Sequence, residues 1–398
     1  MDSSPSSGRA QTFDLHLAAG AGDRQDVIAT VQLPPEAAGF VRSLGDDGAV
    51  VHLVDANGEV VPAQLDETAR LTWLAAGTMD AGATRRYRCT LEGAREGRTA
   101  VPPRVEVRLQ ADRVWFISGG RLLTRYVYQG TWKPYFWPIM TPSGNVVRGA
   151  SGEHQHQTGL FFAYGGHGGP TTSNVWSDWD EPTYGPDGKA LHTSWELVEG
   201  GAVYGRLVQR LTYTNASAGH LLDERREVRV YPLPDGAVLL DVCEWPSPPE
   251  EEGPSPFILA ARVAESLRLV NLNRRGPDGK PLPLERPGQL AAEDELRLEN
   301  AANATFRTAG GWLDWSGEVT GGTAGLAFFD HPDNPQDGRG LVAGGYGCMT
   351  MRSVYPPTAR PGSVAIRRRV LAHADDAGAG RVASRFRDYV DPAPVTVE

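Results

Sequence analysis

Two histidines one residue apart, His154 and His156, sit in the run Glu153-His154-Gln155-His156-Gln157-Thr158-Gly159-Leu160. In an extended segment, residues two apart share a face, with Cβ atoms about 6.5–7 Å apart. Such a pair can act as acid and base on a sugar hydroxyl, or it can grip a metal. Glu153 and Gln157 make the stretch too polar for an ordinary sandwich core. The structural alternative is a pair of hydrogen-bonded histidines under a loop. A divalent metal at His154 and His156 is the weaker reading, because two histidines fall short of a site and spacing fixes no third ligand. No cofactor is expected.

Residues 132–195 hold four of the nine histidines, His192 among them, and five of the ten tryptophans. Trp176 and Trp179 lie in a polar loop around Ser177-Asp178, where an aromatic face can stack on a sugar; the alternative is core filling. A further cluster, Phe329-Asp330-His331-Pro332-Asp333-Asn334-Pro335, follows an apolar run. Asp330 and His331 therefore stand at a strand end, where sites are built, although the same residues form good turns. Asp223-Glu224-Arg225-Arg226-Glu227 and Arg367-Arg368-Arg369 read mainly as solvated faces. Glu224 and Arg262 are exceptions. Arg262 ends the apolar run Phe257–Ala261, and a charge there needs a partner or a ligand.

The elements that position these residues are strands. Phe13, Leu15 and Leu17 alternate with polar residues, and the same period of two recurs at Val27–Val31, Leu71–Ala75 and Tyr87–Leu91. Asn57-Gly58 between β-branched runs signals a hairpin. Glycine and proline, 47 and 30 residues, exceed average usage and argue against a helical bundle. Short helices are expected at Glu36–Leu44 and Arg381–Val390 only. A polar, Pro-rich stretch at 93–104 marks a boundary. The expected organisation is a disordered start at 1–11, a sandwich of about seven strands at 12–104, and a larger β-domain at 105–398. Loops are expected at Glu244–Pro256 and Arg275–Gly288, the latter turning at Pro277-Asp278-Gly279.

Composition excludes several classes. With 39 Lys and Arg against 49 Asp and Glu, the formal charge is −10, a poor match to nucleic acid. No run of 18 apolar residues and no apolar leader occurs, so no membrane association is expected. Cys89, Cys243 and Cys348 are sparse and odd in number, which favours a reducing, cytoplasmic setting over a disulfide framework.

The sequence resembles the PmoA-like family, a domain family of unknown function. The resemblance is carried by Lys133-Pro134-Tyr135, Glu153–Phe162, Asn174-Val175-Trp176, Arg262–Leu267, Trp312–Gly317, Phe329–Pro335 and Arg367–His373, across about residues 105–390. The "methane oxygenase" label sometimes given to that family does not fit a chain without transmembrane segments. The resemblance implies a large antiparallel β-supersandwich similar to galactose mutarotase, and a role beside sugar dehydrogenases in carbohydrate breakdown. In mutarotase-like enzymes a histidine donates to the ring oxygen while a carboxylate takes the anomeric proton. The usual family form of the motif is Asp-His-Pro-His-His-Arg-Gly-Leu-Trp. Here Glu153, Gln155, Gln157 and Thr158 depart from it, while His154 and His156 are kept.

The expectation is therefore an all-β protein, an N-terminal sandwich followed by a supersandwich, acting on a small sugar or glycoside. Acid/base lyase or hydrolase action on a glycoside or keto-sugar leads, with His154, His156, Asp330 and Glu224 as catalytic candidates. Trp176, Gln157, Arg262, His331, Asn334 and His192 are the expected substrate contacts. Mutarotase-type epimerisation and a non-catalytic carbohydrate-binding scaffold are the alternatives.

Overall fold

The computed structural model describes residues 10–44, 49–93, 104–150, 155–165, 175–176, 188–215, 219–248, 256–336, 340–356 and 358–398. The protein is all-β, built from antiparallel sheets, with two α-helices among the described residues, Pro35–Ser43 and Val382–Val390. The chain divides into two compact units.

The first unit is a sandwich of two sheets. One runs Val395–Val397, Gln11–Ala18, Thr84–Gly93, Ala49–Asp55 and Val60–Val61; the other runs Arg24–Gln32, Arg70–Met79 and Ala63–Leu65. Alternate residues face inward, as the period of two requires: Leu15, Leu17, Leu53, Cys89 and Leu91 from one sheet meet Val27, Ala29, Leu71 and Trp73 from the other. Asn57-Gly58 turns the expected hairpin, with Gly58 at φ +83 and its N–H donated to the Asp55 carbonyl at 3.0 Å. The unit also takes in Gly200–Tyr204 and Asp391–Glu398, which a single cut at residue 104 places elsewhere. The polar start at 1–9 and the boundary stretch 94–103 lie outside the described residues; Gln11 already belongs to a strand.

The second unit holds two large sheets. The first runs, edge to edge, Arg297–Asn300, Thr305–Thr308, Leu341–Gly344, Cys348–Val354, Pro256–Arg262, Leu160–Tyr164, Tyr135–Thr141, Arg121–Val127, Arg113–Ser118 and Val105–Leu109, with Gly144–Asn145 paired to Tyr135–Thr141. The second runs Gly188–Glu199, Gly205–Asn215, Gly219–Pro232, Val238–Ser247, Ile366–Ala374, Gly322–Asp330, Trp312–Val319 and Gln289–Ala292. The two face each other: the Arg226 guanidinium lies 3.5 Å from the Phe162 ring, and Tyr164 meets Tyr213 edge-on at 6.3 Å.

Pro256–Arg262 and Leu160–Tyr164 are buried at every position, because both faces of the first sheet are covered at its middle. Phe162, Tyr164, Phe257 and Leu259 point into the space between the sheets, whereas Phe161, Ala163, Ile258 and Ala260 pack on the opposite face with Trp176 and Cys348. Two expected loops are partly strand. Val238–Ser247 carries its alternation through Glu244, which is buried with Arg368 and Arg226 as partners. Pro277-Asp278-Gly279 turns a hairpin between Val270–Arg275 and Pro281–Pro283.

Candidate functional site

The turn at residues 155–158 leads into the strand Leu160–Tyr164 through Gly159, at φ +61. A Cβ at Gly159 would stand 2.1 Å from the Phe136 carbonyl oxygen, so only glycine lets the turn approach the neighbouring strand. The Gly159 N–H donates to the Arg148 carbonyl, and the Gly159 carbonyl accepts from the Arg262 N–H, both at 2.8 Å. The turn is thereby fixed against the end of Pro256–Arg262.

His156, Gln157 and Thr158 are buried in it. Gln157 Oε1 accepts from Arg262 Nη1 at 3.0 Å, and Gln157 also hydrogen-bonds the Tyr346 hydroxyl. The Arg262 guanidinium, with 0% of the residue exposed, lies over the Tyr346 ring at 4.8 Å. Burial lowers its pKa to about 10, and the nearby Arg148 and Arg268 push the same way. It remains a cation at neutral pH. Burial likewise pushes the Cys348 thiol up to about 11 and the Tyr346 hydroxyl upward.

Trp176 packs edge-on against Phe161 at 5.6 Å, and its carbonyl accepts from the Lys133 ammonium, which lies 4.9 Å over the Phe161 ring. Trp176, Tyr346, Cys348, Thr350 and Arg352 line a cavity of about 160 Å³ on this outer face of the sheet. Gln157, Arg262 and Trp176 are thus brought together around Tyr346 and Cys348. The sequence alone does not place Tyr346, Cys348, Lys133 and Arg148 around these residues. The one available signal is that Lys133 opens one of the segments that carry the family resemblance.

His154 and Glu153 lie outside the described residues, as does Trp179. Among the described residues, no three His, Cys, Asp or Glu side chains are grouped to hold a metal ion.

The other candidates stand apart from this cavity. Asp330 and His331 line a different one, of about 450 Å³, that shares no described lining residue with the first. Asn334 is consumed internally: its Nδ2 donates to Asp330 Oδ1 at 2.7 Å and to the Arg367 carbonyl at 2.5 Å, while its Oδ1 accepts from the Arg367 N–H at 2.8 Å.

Glu224 is enclosed between the two large sheets. Arg226 Nε donates to Glu224 Oε1 at 2.7 Å and the Tyr213 hydroxyl donates to Glu224 Oε2 at 2.6 Å, with both charged side chains 0% exposed. Glu244, 3.8 Å from Arg226, extends the network to Arg368, whose Nη2 donates to the Phe257 carbonyl at 2.7 Å. Burial outweighs the attraction of Arg368 and raises the Glu244 pKa to about 7. His192 joins the same network from its edge: its Nδ1 and Gln209 Oε1 are 3.0 Å apart, and Gln209 donates to the Tyr126 hydroxyl, which also accepts from Arg226. Burial lowers the His192 pKa. Glu224 and His192 are therefore parts of an internal hydrogen-bonded chain.

Residues 113–387 match the model of a family described as "Family of unknown function (DUF6807)". The chain belongs to this family. The matched stretch covers Gln157, Arg262, Trp176 and Tyr346 together with the Asp330 cluster, and it falls within the 105–390 segment that carries the resemblance described above. No curated protein matches the sequence. Among the described residues, no helix is long and apolar enough to cross a membrane.

Proposed function

We propose that this member of the DUF6807 family is a carbohydrate-active enzyme, a lyase or hydrolase acting by acid/base chemistry on a glycoside or keto-sugar derivative. The observation that carries this reading is the Arg262 guanidinium, held at the end of an apolar strand by Gln157 and against the ring of Tyr346, which lines the Trp176 cavity. A cation fixed in a water-poor setting stabilises negative charge as it develops on an oxygen, and the rigid setting spares it reorganisation during reaction. Elimination or hydrolysis also needs one group to take a proton and another to protonate the leaving oxygen. His156, next to Gln157 in the turn, and His154 are assigned those roles, and Trp176 is assigned to stack on the sugar. The mutarotase-like ancestry implied by the resemblance, a small-sugar partner and an upstream sugar dehydrogenase belong to the same proposal. A redox cofactor is not part of it, and neither Glu224 nor Asp330 is used.

Kinetics on a panel of aryl glycosides and their 3-keto derivatives test the assignment. Arg262→Ala is expected to lower kcat by about 10²–10³-fold, the effect of removing one donor to a developing oxyanion. Arg262→Lys should recover only part of that loss, because a compact ammonium cannot both donate to Gln157 and lie over the Tyr346 ring as the planar guanidinium does. Unchanged kcat in Arg262→Ala overturns the role given to this residue. Sugar binding without conversion of any substrate moves the protein to the carbohydrate-binding reading.

A further inference from the structure

The cavity beside Asp330 has the dimensions and lining of a ligand site in its own right. Its volume, about 450 Å³, falls within the range of about 300–1,000 Å³ typical of small-molecule pockets. Four parts of the second unit meet there: the end of Gly322–Asp330, the turn Gly310-Gly311 before Trp312–Val319, Glu293 after Gln289–Ala292, and the helix Val382–Val390.

Each polar group is held in place. Asp330 Oδ1 and Oδ2 accept from Asn334 Nδ2 at 2.7 Å and Gln336 Nε2 at 3.1 Å, and Glu293 Oε2 accepts from the Gly311 N–H at 2.6 Å. His331 Nδ1 accepts from the Asp333 N–H at 3.2 Å, so in the neutral ring the proton sits on Nε2, and burial favours that neutral ring. The His331 ring stands edge-on to Tyr389 at 5.2 Å. Phe386 supplies an apolar floor and approaches so closely that a Cβ on Gly311 would fall 2.2 Å from its ring. A Cβ on Gly310 would fall 2.7 Å from Glu293 Cβ. The glycine pair is what lets the backbone close on both walls.

A cavity with fixed acceptors, an imidazole N–H donor and an aromatic floor suits a polyhydroxylated ring, whose hydroxyls hydrogen-bond and whose C–H face packs on Phe386. The charge narrows the class. Among the described lining residues there are two carboxylates and no lysine or arginine. The two guanidinium groups that act on His331 are engaged elsewhere, Arg369 with Asp241 at 2.6 Å and Arg367 with Asp333 at 3.6 Å.

We propose that this cavity is a second small-molecule site, distinct from the Arg262 site, and that it takes an amino sugar whose ammonium group lies against Asp330 and Glu293. The proposal goes beyond the enzymatic reading and does not depend on it.

Calorimetric titration of the full chain with glucosamine, galactosamine and mannosamine, beside glucose and N-acetylglucosamine, tests it. At least one free amino sugar is expected to bind about tenfold or more tightly than the neutral sugars. Glu293→Gln should weaken that binding by about fivefold or more; Glu293 is exposed, and a glutamine oxygen in its place still accepts from the Gly311 N–H while the charge is gone. Arg262→Ala should leave it unchanged. Equal binding of charged and neutral sugars, or no binding of any amino sugar, overturns the proposal. So does amino-sugar binding that Glu293→Gln leaves intact.

Discussion

A buried ionisable group shapes the chemistry of its neighbours, and Arg262 and Glu244 do so in opposite ways. Arg262 keeps its proton at neutral pH despite burial, so a fixed positive charge lies against the ring of Tyr346, which lines the cavity. Glu244 is the opposite case, a carboxyl raised by burial to about 7. A carboxyl raised in the folded state binds its proton more tightly there than in the unfolded chain. Its contribution to stability is then complete below the ordinary carboxylate pKa and is lost as pH rises through about 7. Wild-type protein should lose stability between pH 5 and pH 8 relative to Glu244→Gln, in denaturant unfolding followed at several pH values. A constant difference between the two across that range would contradict the assignment. Arg262 was legible in the sequence because a charge interrupted an apolar run. Glu244 was not, because the acidic, Pro-rich residues after it resemble a loop.

At the scale of the element, the period of two explains what the charged runs concealed. In Asp223–Glu227 the even positions, Glu224 and Arg226, point between the sheets, whereas Asp223 and Arg225 face outward. In Arg367-Arg368-Arg369 the middle residue points inward to Glu244 while Arg367 stays exposed. Reading each run as one solvated face averages over that alternation. The strands themselves were visible from the same period, and so was the hairpin at Asn57-Gly58. The site's turn was legible only as a polar motif, because its shape depends on a close approach between strands distant in sequence. Gly159 shows the dependence. Gly159→Ala adds both a strained φ and a 2.1 Å contact with the Phe136 carbonyl, and should cost about 3 kcal/mol or more of stability. Thermal unfolding checks this; a variant within about 0.5 kcal/mol of wild type would show that the turn can relax.

At the scale of the whole molecule, the family match covers the second unit's sheets apart from the edge strand Val105–Leu109, and the first unit includes the last residues of the chain. Val395–Val397 pairs with Gln11–Ala18, and Arg24 Nη1 donates to the Asp391 carbonyl at 2.7 Å. A chain ending at Val390 should therefore lose hydrogen-exchange protection in Gln11–Ala18, because that strand becomes an edge with unpaired backbone groups. Protection equal to that of the full chain would show that the terminal strand adds nothing. Sequence patterning gave no sign of this closure. Val395, Thr396 and Val397 form too short a run to mark a strand, and the pairing spans nearly the whole chain. For the same reason the sequence does not separate the residues of these cavities: His156, Arg262 and Asp330 are each recognisable, but only the sheet order shows which of them share a surface.

The most direct test of the account is the mass of the product formed from a 3-keto glycoside by wild-type protein and by Arg262→Ala. The account predicts release of the aglycone by the wild type, with a mass change matching elimination or addition of water across the glycosidic bond, and loss of that release in the variant. An intact glycosidic bond with mass conserved would make the protein an epimerase, and release that survives in Arg262→Ala would contradict the site described here.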